Sequence, residues 1–201
     1  MSDLNKHTIV GEKPATIKFL KIRTVKSPTR ANEYDAGIDF FVPEFDDSDF
    51  LKSLIDKNLD NFSPFINGKG SDDLVKFLHA NQSFVILPGK GVMIPSGIKS
   101  RMPYPGTALV AANKSGVATK SKLIYGAQVV DYTYKGEIHL HLINVSDVPV
   151  KVSAGQKILQ FLETPIYTRP VQVISGGMSE ERFYEGLQDD RGTGGFGSTG
   201  V

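Results

Sequence analysis

Apolar residues fall in short runs broken by Gly and Pro, a pattern of strands joined by tight turns. Ile17, Phe19 and Ile22 stand among lysines and predict a first strand within 16–25. A polar loop over 27–34 leads into a Gly-containing turn and a short strand over 35–42. Strand composition returns at 83–87, 91–94 and 97–100, punctuated by Pro88-Gly89 and Pro95-Ser96-Gly97. A small-residue strand over 107–112 precedes Asn113-Lys114-Ser115-Gly116, which reads as a loop. Residues 136–144 alternate, with Ile138, Leu140 and Leu142 on one face and His139 and His141 on the other. Runs over 148–152, 157–163 and 170–174 bring the expectation to about ten strands at sandwich or barrel spacing. The expected class is all-β, a jelly-roll-like sandwich.

One stretch breaks the pattern. Within 44–82, Asp46, Asp47, Ser48 and Asp49 offer N-caps and first-turn acids. Phe50, Leu51, Leu54, Ile55 and Leu59 then recur at helical spacing. A loop carrying Pro64, Gly68 and Gly70 follows, and Ser71 opens a second short helix through Leu74, Val75, Phe77 and Leu78. The expectation is a two-helix insertion serving as structural padding or as a surface for a protein partner. The stretch from 176 to 201 is rich in Gly, Ser, Arg and Asp without apolar periodicity, and is expected to be a flexible arm.

Composition narrows the chemistry. The chain has 201 residues, enough to bury a core without staples. It has no Cys, which excludes disulfides and thiolate sites. A formal net charge of +1 gives no argument for nucleic acid or a membrane surface. No apolar run approaches membrane-spanning length and no signal-peptide core opens the chain, so a cytoplasmic location is expected.

Three places could carry chemistry. Asp131 sits where the run 127–130 meets Tyr132-Thr133-Tyr134-Lys135-Gly136, a segment with the length and glycine of a hairpin turn. Its carboxylate either faces a cleft or hydrogen-bonds its own turn. Lys114-Ser115-Gly116 combines a cation, a hydroxyl and a flexible backbone, which suits phosphate. The tail pairs Arg191 with a glycine-rich run, Phe196 and the hydroxyls of Ser198 and Thr199. Glycine N–H groups can form an anion nest, and a lone aromatic can stack on a nucleobase. The pair His139 and His141 is more easily read as facing solvent or a subunit than as a metal site, since the chain has only 4 His and no Cys.

In order, these stretches resemble the trimeric dUTPase family. Ala36-Gly37-Ile38-Asp39-Phe40 resembles its first motif, Asn113-Lys114-Ser115-Gly116 its second and Val130-Asp131-Tyr132-Thr133-Tyr134-Lys135-Gly136-Glu137 its third. Ala154-Gly155-Gln156-Lys157-Ile158-Leu159-Gln160-Phe161 resembles the fourth, and 191–200 matches the fifth almost residue for residue. The resemblance implies a jelly-roll domain over 1–175, interrupted at about 44–82, with 176–201 as an arm closing on the site. It implies a homotrimer with intersubunit active sites that hydrolyses dUTP to dUMP and pyrophosphate, with Mg²⁺ on the triphosphate.

By position, Asp131 would activate the attacking water. Tyr134 would pack under the deoxyribose, while Tyr125, Val129 and Val130 would line the nucleoside. Lys114, Ser115, Gly116 and Gln160 would hold the phosphates, and Asp39 would support the metal indirectly, through water. Arg191, Gly197, Ser198 and Thr199 would close on the phosphates, with Phe196 on uracil. Lys114 replaces the family's usual Arg, Thr133 its second acid, and Tyr125 and Gln128 the usual Asn and Gly of the base-reading hairpin. These leave the hydrolytic centre intact and bear on the choice of base, so a broader deoxynucleoside triphosphate pyrophosphatase is an alternative. The related dCTP deaminase family places a catalytic Glu where His141 stands here, and the Phe-bearing tail favours a dUTPase. A regulatory protein acting through 44–82 is the third alternative.

Overall fold

The computed structural model describes residues 15–66 and 71–187. Two compact units divide the chain, one ending at Tyr167 and the other starting at Thr168.

The first unit is a strand-rich domain. Its largest sheet orders β2 (Gly37–Phe41), β11 (Lys157–Pro165), β6 (Thr107–Asn113) and β8 (Val129–Val130). A second sheet holds β4 (Gly91–Pro95), β9 (His139–Asn144) and β7 (Leu123–Tyr125). Two-stranded pairs join β1 (Lys18–Lys21) to β5 (Ile98–Arg101), and β10 (Val150–Ser153) to β3 (Ser83–Ile86). Every pairing is antiparallel. The all-β expectation holds, and the alternation on β9 is as read: Leu140 and Leu142 are buried, while His139 and His141 are partly exposed. Apolar faces meet in one core, where the Phe40 and Phe161 rings lie 4.8 Å apart.

The insertion has three helices rather than two: α1 (Ser48–Asp56), α2 (Leu59–Ile66) and α3 (Ser71–Asn81). Asp47 caps α1 by accepting from the Asp49 and Phe50 N–H groups at 2.9 and 3.1 Å. The Pro64 region, read as loop, lies inside α2. The Asn58 carbonyl starts that helix by accepting from Asn61 and Phe62. Pro64 then forgoes one bond, to the carbonyl of Asp60, an exposed residue where water can substitute. The α1 stripe is core: Phe50, Leu51, Leu54 and Ile55 are 0–2% exposed.

Two asparagines weld the insertion to open sheet edges. Asn58 accepts from the Met93 N–H at 2.7 Å and donates to the Met93 carbonyl at 3.0 Å. Asn61 accepts from the Leu87 N–H at 2.8 Å and donates to the Val85 carbonyl at 2.9 Å. A side-chain amide offers the donor and acceptor of a peptide, so each replaces a missing neighbour strand. Gln82 closes the base of the insertion in the same way, bonding both the N–H and the carbonyl of Phe45. Asn58→Ala is expected to strand Met93's two polar groups and to destabilise the domain by about 1–3 kcal/mol. A lower urea midpoint at unchanged slope would show it; an unchanged midpoint would refute it.

Two further expectations change. Residues 131–136 do not turn a hairpin between paired strands. β8 ladders with β6, whereas β9 ladders with β4 and β7, so the segment crosses between sheets. Residues 170–174 form no strand, with Val171 and Val173 91% and 83% exposed. Among the described residues no ladder partner serves them, and β propensity without one does not make a strand. The described part of the second unit holds one short helix, α5 (Glu180–Phe183), capped by the Ser179 hydroxyl, which accepts from the Arg182 N–H.

Candidate functional site

The first cluster is built across the largest sheet. β11 lies between β2 and β6 and sets Gln160 opposite both Asp39 and Ala112. Asp39 is 2% exposed. One of its oxygens takes the Lys114 ammonium, and the other takes that of Lys157 at 2.8 Å. Burial alone would raise the Asp39 pKa, but the hydrogen bonds and charges of Lys114 and Lys157 outweigh it and hold the carboxyl below its usual range. Gln160 donates to the Asn113 carbonyl at 2.8 Å, and a side chain at Gly37 would collide with its amide. A larger residue at Gly37, two positions before Asp39, would therefore displace the Gln160 amide from the Asn113 carbonyl.

Lys114-Ser115-Gly116 is a strand-to-helix junction rather than a loop. Lys114 is the N-cap of α4 (Ser115–Ser121), with its carbonyl accepting from the Ala118 N–H at 2.9 Å. Ser115 and Gly116 are exposed in the first turn, where N–H groups lack intrahelical partners. The helix was hidden because Ser, Gly and Thr are weak helix formers and it carries no apolar stripe.

A depressed carboxylate pKa stabilises the fold above the unfolded pKa, and that contribution is lost as pH falls through the folded one. The contribution of Asp39 should thus be present at neutral pH and fade below about pH 4. Asp39→Asn is expected to lower the melting temperature at neutral pH and to flatten its fall in acid. An acid limb identical to the parent's would exclude this ion-paired cluster as a source of acid lability.

The second cluster surrounds Asp131. Residues 125–130 run back along β6: Val130 pairs with Leu109, Val129 with Val110, and the Gln128 carbonyl accepts from the Ala111 N–H. At the far end the Tyr125 N–H donates to the Asn113 side chain at 2.8 Å. Tyr125 therefore stands beside the lysine cluster, with Val129 exposed and Val130 buried further along. Asp131 comes next. Its main-chain carbonyl accepts from the Tyr134 N–H at 3.1 Å, so the backbone closes the turn. The carboxylate is exposed and has no hydrogen-bond or ion-pair partner among the described residues. Tyr134 is 43% exposed; its hydroxyl donates to the Glu137 carbonyl at 3.0 Å, and its ring lies where a Gly136 side chain would be.

Glu137 is a fixing point that the sequence reading missed. It accepts from Arg23 at 2.7 Å and from the Gly97 N–H at 2.6 Å, tying the Asp131 segment to the chain just after β1 and just before β5. A cleft of about 560 Å³ opens beside this segment, between Tyr132–Lys135 and a floor including Lys18, Phe19, Lys99 and Arg101.

The histidines hold no metal geometry. Lys57 donates to His139 Nε2 at 3.0 Å, so Nδ1 carries the proton and donates to the Glu137 carbonyl. Burial, then the Lys57 charge, lowers the His139 pKa. His141 Nδ1 accepts from the Ala127 N–H. No group of three or more His, Cys, Asp or Glu suited to a metal occurs among the described residues.

One chain thus gathers Asp39, Lys114, Gln160 and Tyr125 at one end of β6 and Asp131 with Tyr134 at the other. Leu109, opposite Val130, and Asn113 are four residues apart, about 13 Å at the usual strand rise. Arg191, Phe196, Gly197, Ser198 and Thr199 lie outside the described residues.

The dUTPase family model matches residues 77–200. The chain belongs to the dUTPase family. A deoxyuridine 5'-triphosphate nucleotidohydrolase of Yarrowia lipolytica is 30% identical over 185 residues, covering 92% of this chain and 88% of that protein. One from Picosynechococcus sp. is 34% identical over 126 residues, 62% and 82% of the respective chains. Among solved structures, the dUTPase of Staphylococcus bacteriophage 80alpha with dUpNHpp superposes with a TM-score of 0.62 at 18% identity, covering 92% of this chain and 99% of that one. The dUTPase of S. aureus phage phi11 gives a TM-score of 0.56 at 16% identity, covering 82% and 99%. These two likenesses speak to the dUTPase fold. No described helix is long and apolar enough to cross a membrane.

Proposed function

We propose that the protein hydrolyses dUTP to dUMP and pyrophosphate, with Asp131 as the base that deprotonates the attacking water. The carrying observation is the Asp131 carboxylate, exposed and without a partner while the main chain alone holds its turn. Phosphoryl transfer asks the protein for a positioned water and charge stabilisation, with little covalent help. Tyr134 beside the acid offers a flat wall for the deoxyribose. Lys114, Ser115, Gly116 and Gln160 hold the phosphate chain, and Tyr125 and Val129 line the nucleoside, with the Val130 side chain packed in the core so that only its main chain can face it. By motif resemblance alone, Arg191, Gly197, Ser198 and Thr199 are assigned to the phosphates and Phe196 to the base.

Both Asp39 oxygens are taken by lysines, and no described cluster cages a cation. Mg²⁺ would be held mainly by the substrate phosphates, and the ion-paired Asp39 would reach it only through water. Bound there, the cation would neutralise charge on the triphosphate.

The separation of Asp131 from the Lys114 cluster supports a site shared between copies, completed in a homotrimer. A second reading, partner binding through 44–82, is supported by the exposed Phe65 and Phe77 beside a cleft of about 550 Å³. Incubation with each deoxynucleoside triphosphate and Mg²⁺ tests the activity. Pyrophosphate and dUMP from dUTP are expected; a deaminated product from dCTP, or no release from dUTP, overturns it.

A further inference from the structure

His141 lies in a slot built for its ring. On one side a Gly91 side chain would stand 3.0 Å from Nε2; on the other a Gly126 side chain would collide with Nδ1 and its neighbours. Nδ1 accepts from the Ala127 N–H at 2.8 Å, and the His141 carbonyl accepts from the Gly126 N–H at 3.0 Å. One residue thus holds two successive amides of the 125–128 segment. The two ends of that segment are pinned to β6, Tyr125 through its N–H to the Asn113 side chain and Gln128 through its carbonyl to the Ala111 N–H. The ring is half-buried, and its acceptor use of Nδ1 fixes the neutral tautomer with the proton on Nε2.

We infer that His141 is a positioning residue for base recognition: through Ala127 it fixes the turn carrying Tyr125 and Gln128, and so sets the affinity for the deoxyuridine moiety. This rests on the dUTPase reading above. The ring touches the backbone of the turn and does no proton transfer to substrate, so its removal should act on binding rather than on the chemical step. A backbone turn held by one fewer hydrogen bond samples more conformations, and substrate binding must then order it.

The titration of the ring adds a signature. Burial lowers the His141 pKa. The elements packed on it, β4, β7 and 126–128, bring one titratable group, Tyr125, and His139 stands two residues along its own strand. As pH falls through the lowered pKa, Nδ1 takes a proton and ceases to accept.

The test compares the parent with His141→Ala, His141→Asn and Gly126→Ala, on dUTP and dCTP. Asn places its Oδ1 near the position of Nδ1 and should preserve the bond. His141→Ala is expected to raise KM for dUTP about tenfold with kcat within about twofold. Its preference for dUTP over dCTP should shrink by a similar factor. The parent's KM should rise in acid as Nδ1 is protonated, whereas His141→Asn should keep KM within about threefold of the parent's neutral value without that rise. Gly126→Ala, which forces the turn off the ring in an otherwise intact core, should raise KM alone and add nothing in the His141→Ala background. Exchange of the Ala127 amide should speed up in His141→Ala and not in His141→Asn, a readout independent of turnover. A parent inactive on dUTP would refute the enzymatic reading. An active parent with unchanged KM and selectivity in both His141→Ala and Gly126→Ala, or equal losses in the Ala and Asn variants, would overturn the role of His141.

Discussion

Asp131→Asn is expected to slow dUTP turnover by about 10²–10⁴-fold, the usual range for loss of a positioned general base. Nucleotide binding should survive. The amide has nearly the carboxylate's shape, so the turn held by the Asp131 carbonyl and the Tyr134 N–H has no reason to move. It cannot take a proton from water near neutral pH, which isolates the chemical step. The thermal midpoint should also stay put, because the carboxylate has no partner among the described residues whose loss would cost stability. This combination separates the base from Asp39, another carboxylate in the dUTPase-like motifs, whose removal disturbs a buried ion-paired cluster. The measurements are single-turnover pyrophosphate release, titration with a non-hydrolysable dUTP analogue, and a melt. Residual turnover above about a tenth of the parent would remove Asp131 from the base role, since a positioned base contributes far more than that.

What the sequence disclosed follows from how local each signal is. The period-two alternation of β9 correctly assigned Leu140 and Leu142 to the core and the histidines to the other face. The helical spacing of Phe50, Leu51, Leu54 and Ile55 identified α1, because an amphipathic stripe is written in neighbouring residues. Pairing is not written that way. Nothing local says that Val130 ladders with Leu109 while His139 ladders with Pro95, so a sheet crossing looked like a hairpin. The bond from Arg23 to Glu137 spans 114 residues and needs the folded sheets to exist. Asp39 was legible as a motif acid, but its second lysine, Lys157, came only from the register of β11 against β2. His141 was placed on the right face, while its partner, the amide of Ala127, required β7 to pair with β9.

Deletion of residues 44–82 is expected to leave no cooperatively folded protein. The insertion looks dispensable in sequence because it interrupts two strand-rich stretches. In the fold it supplies core. Phe45, Phe50, Leu51, Leu54, Ile55, Phe62 and Leu78 are all at most 2% exposed, and the Phe45 and Phe62 rings lie 6.0 and 5.6 Å from that of Phe84 on β3. Truncating a single buried Leu or Phe to Ala costs about 2–5 kcal/mol, against a typical net stability of about 5–15 kcal/mol. Losing several such side chains together exceeds that margin. The deletion would also uncover the β3 and β4 edge groups that Asn61 and Asn58 now satisfy, inviting edge-to-edge association. Lost catalysis in such a variant would therefore report unfolding and say nothing about a partner. Substitution of Phe65 and Phe77 by Ser separates the two roles, because these side chains are 43% and 58% exposed on the outer face. That variant should keep its melting temperature within a few degrees and its turnover near the parent's, since surface changes usually fall within about ±0.5 kcal/mol. Circular dichroism melts and size-exclusion profiles of both variants decide the matter. A deletion variant that melts cooperatively near the parent temperature would show that the β domain holds its core without the insertion.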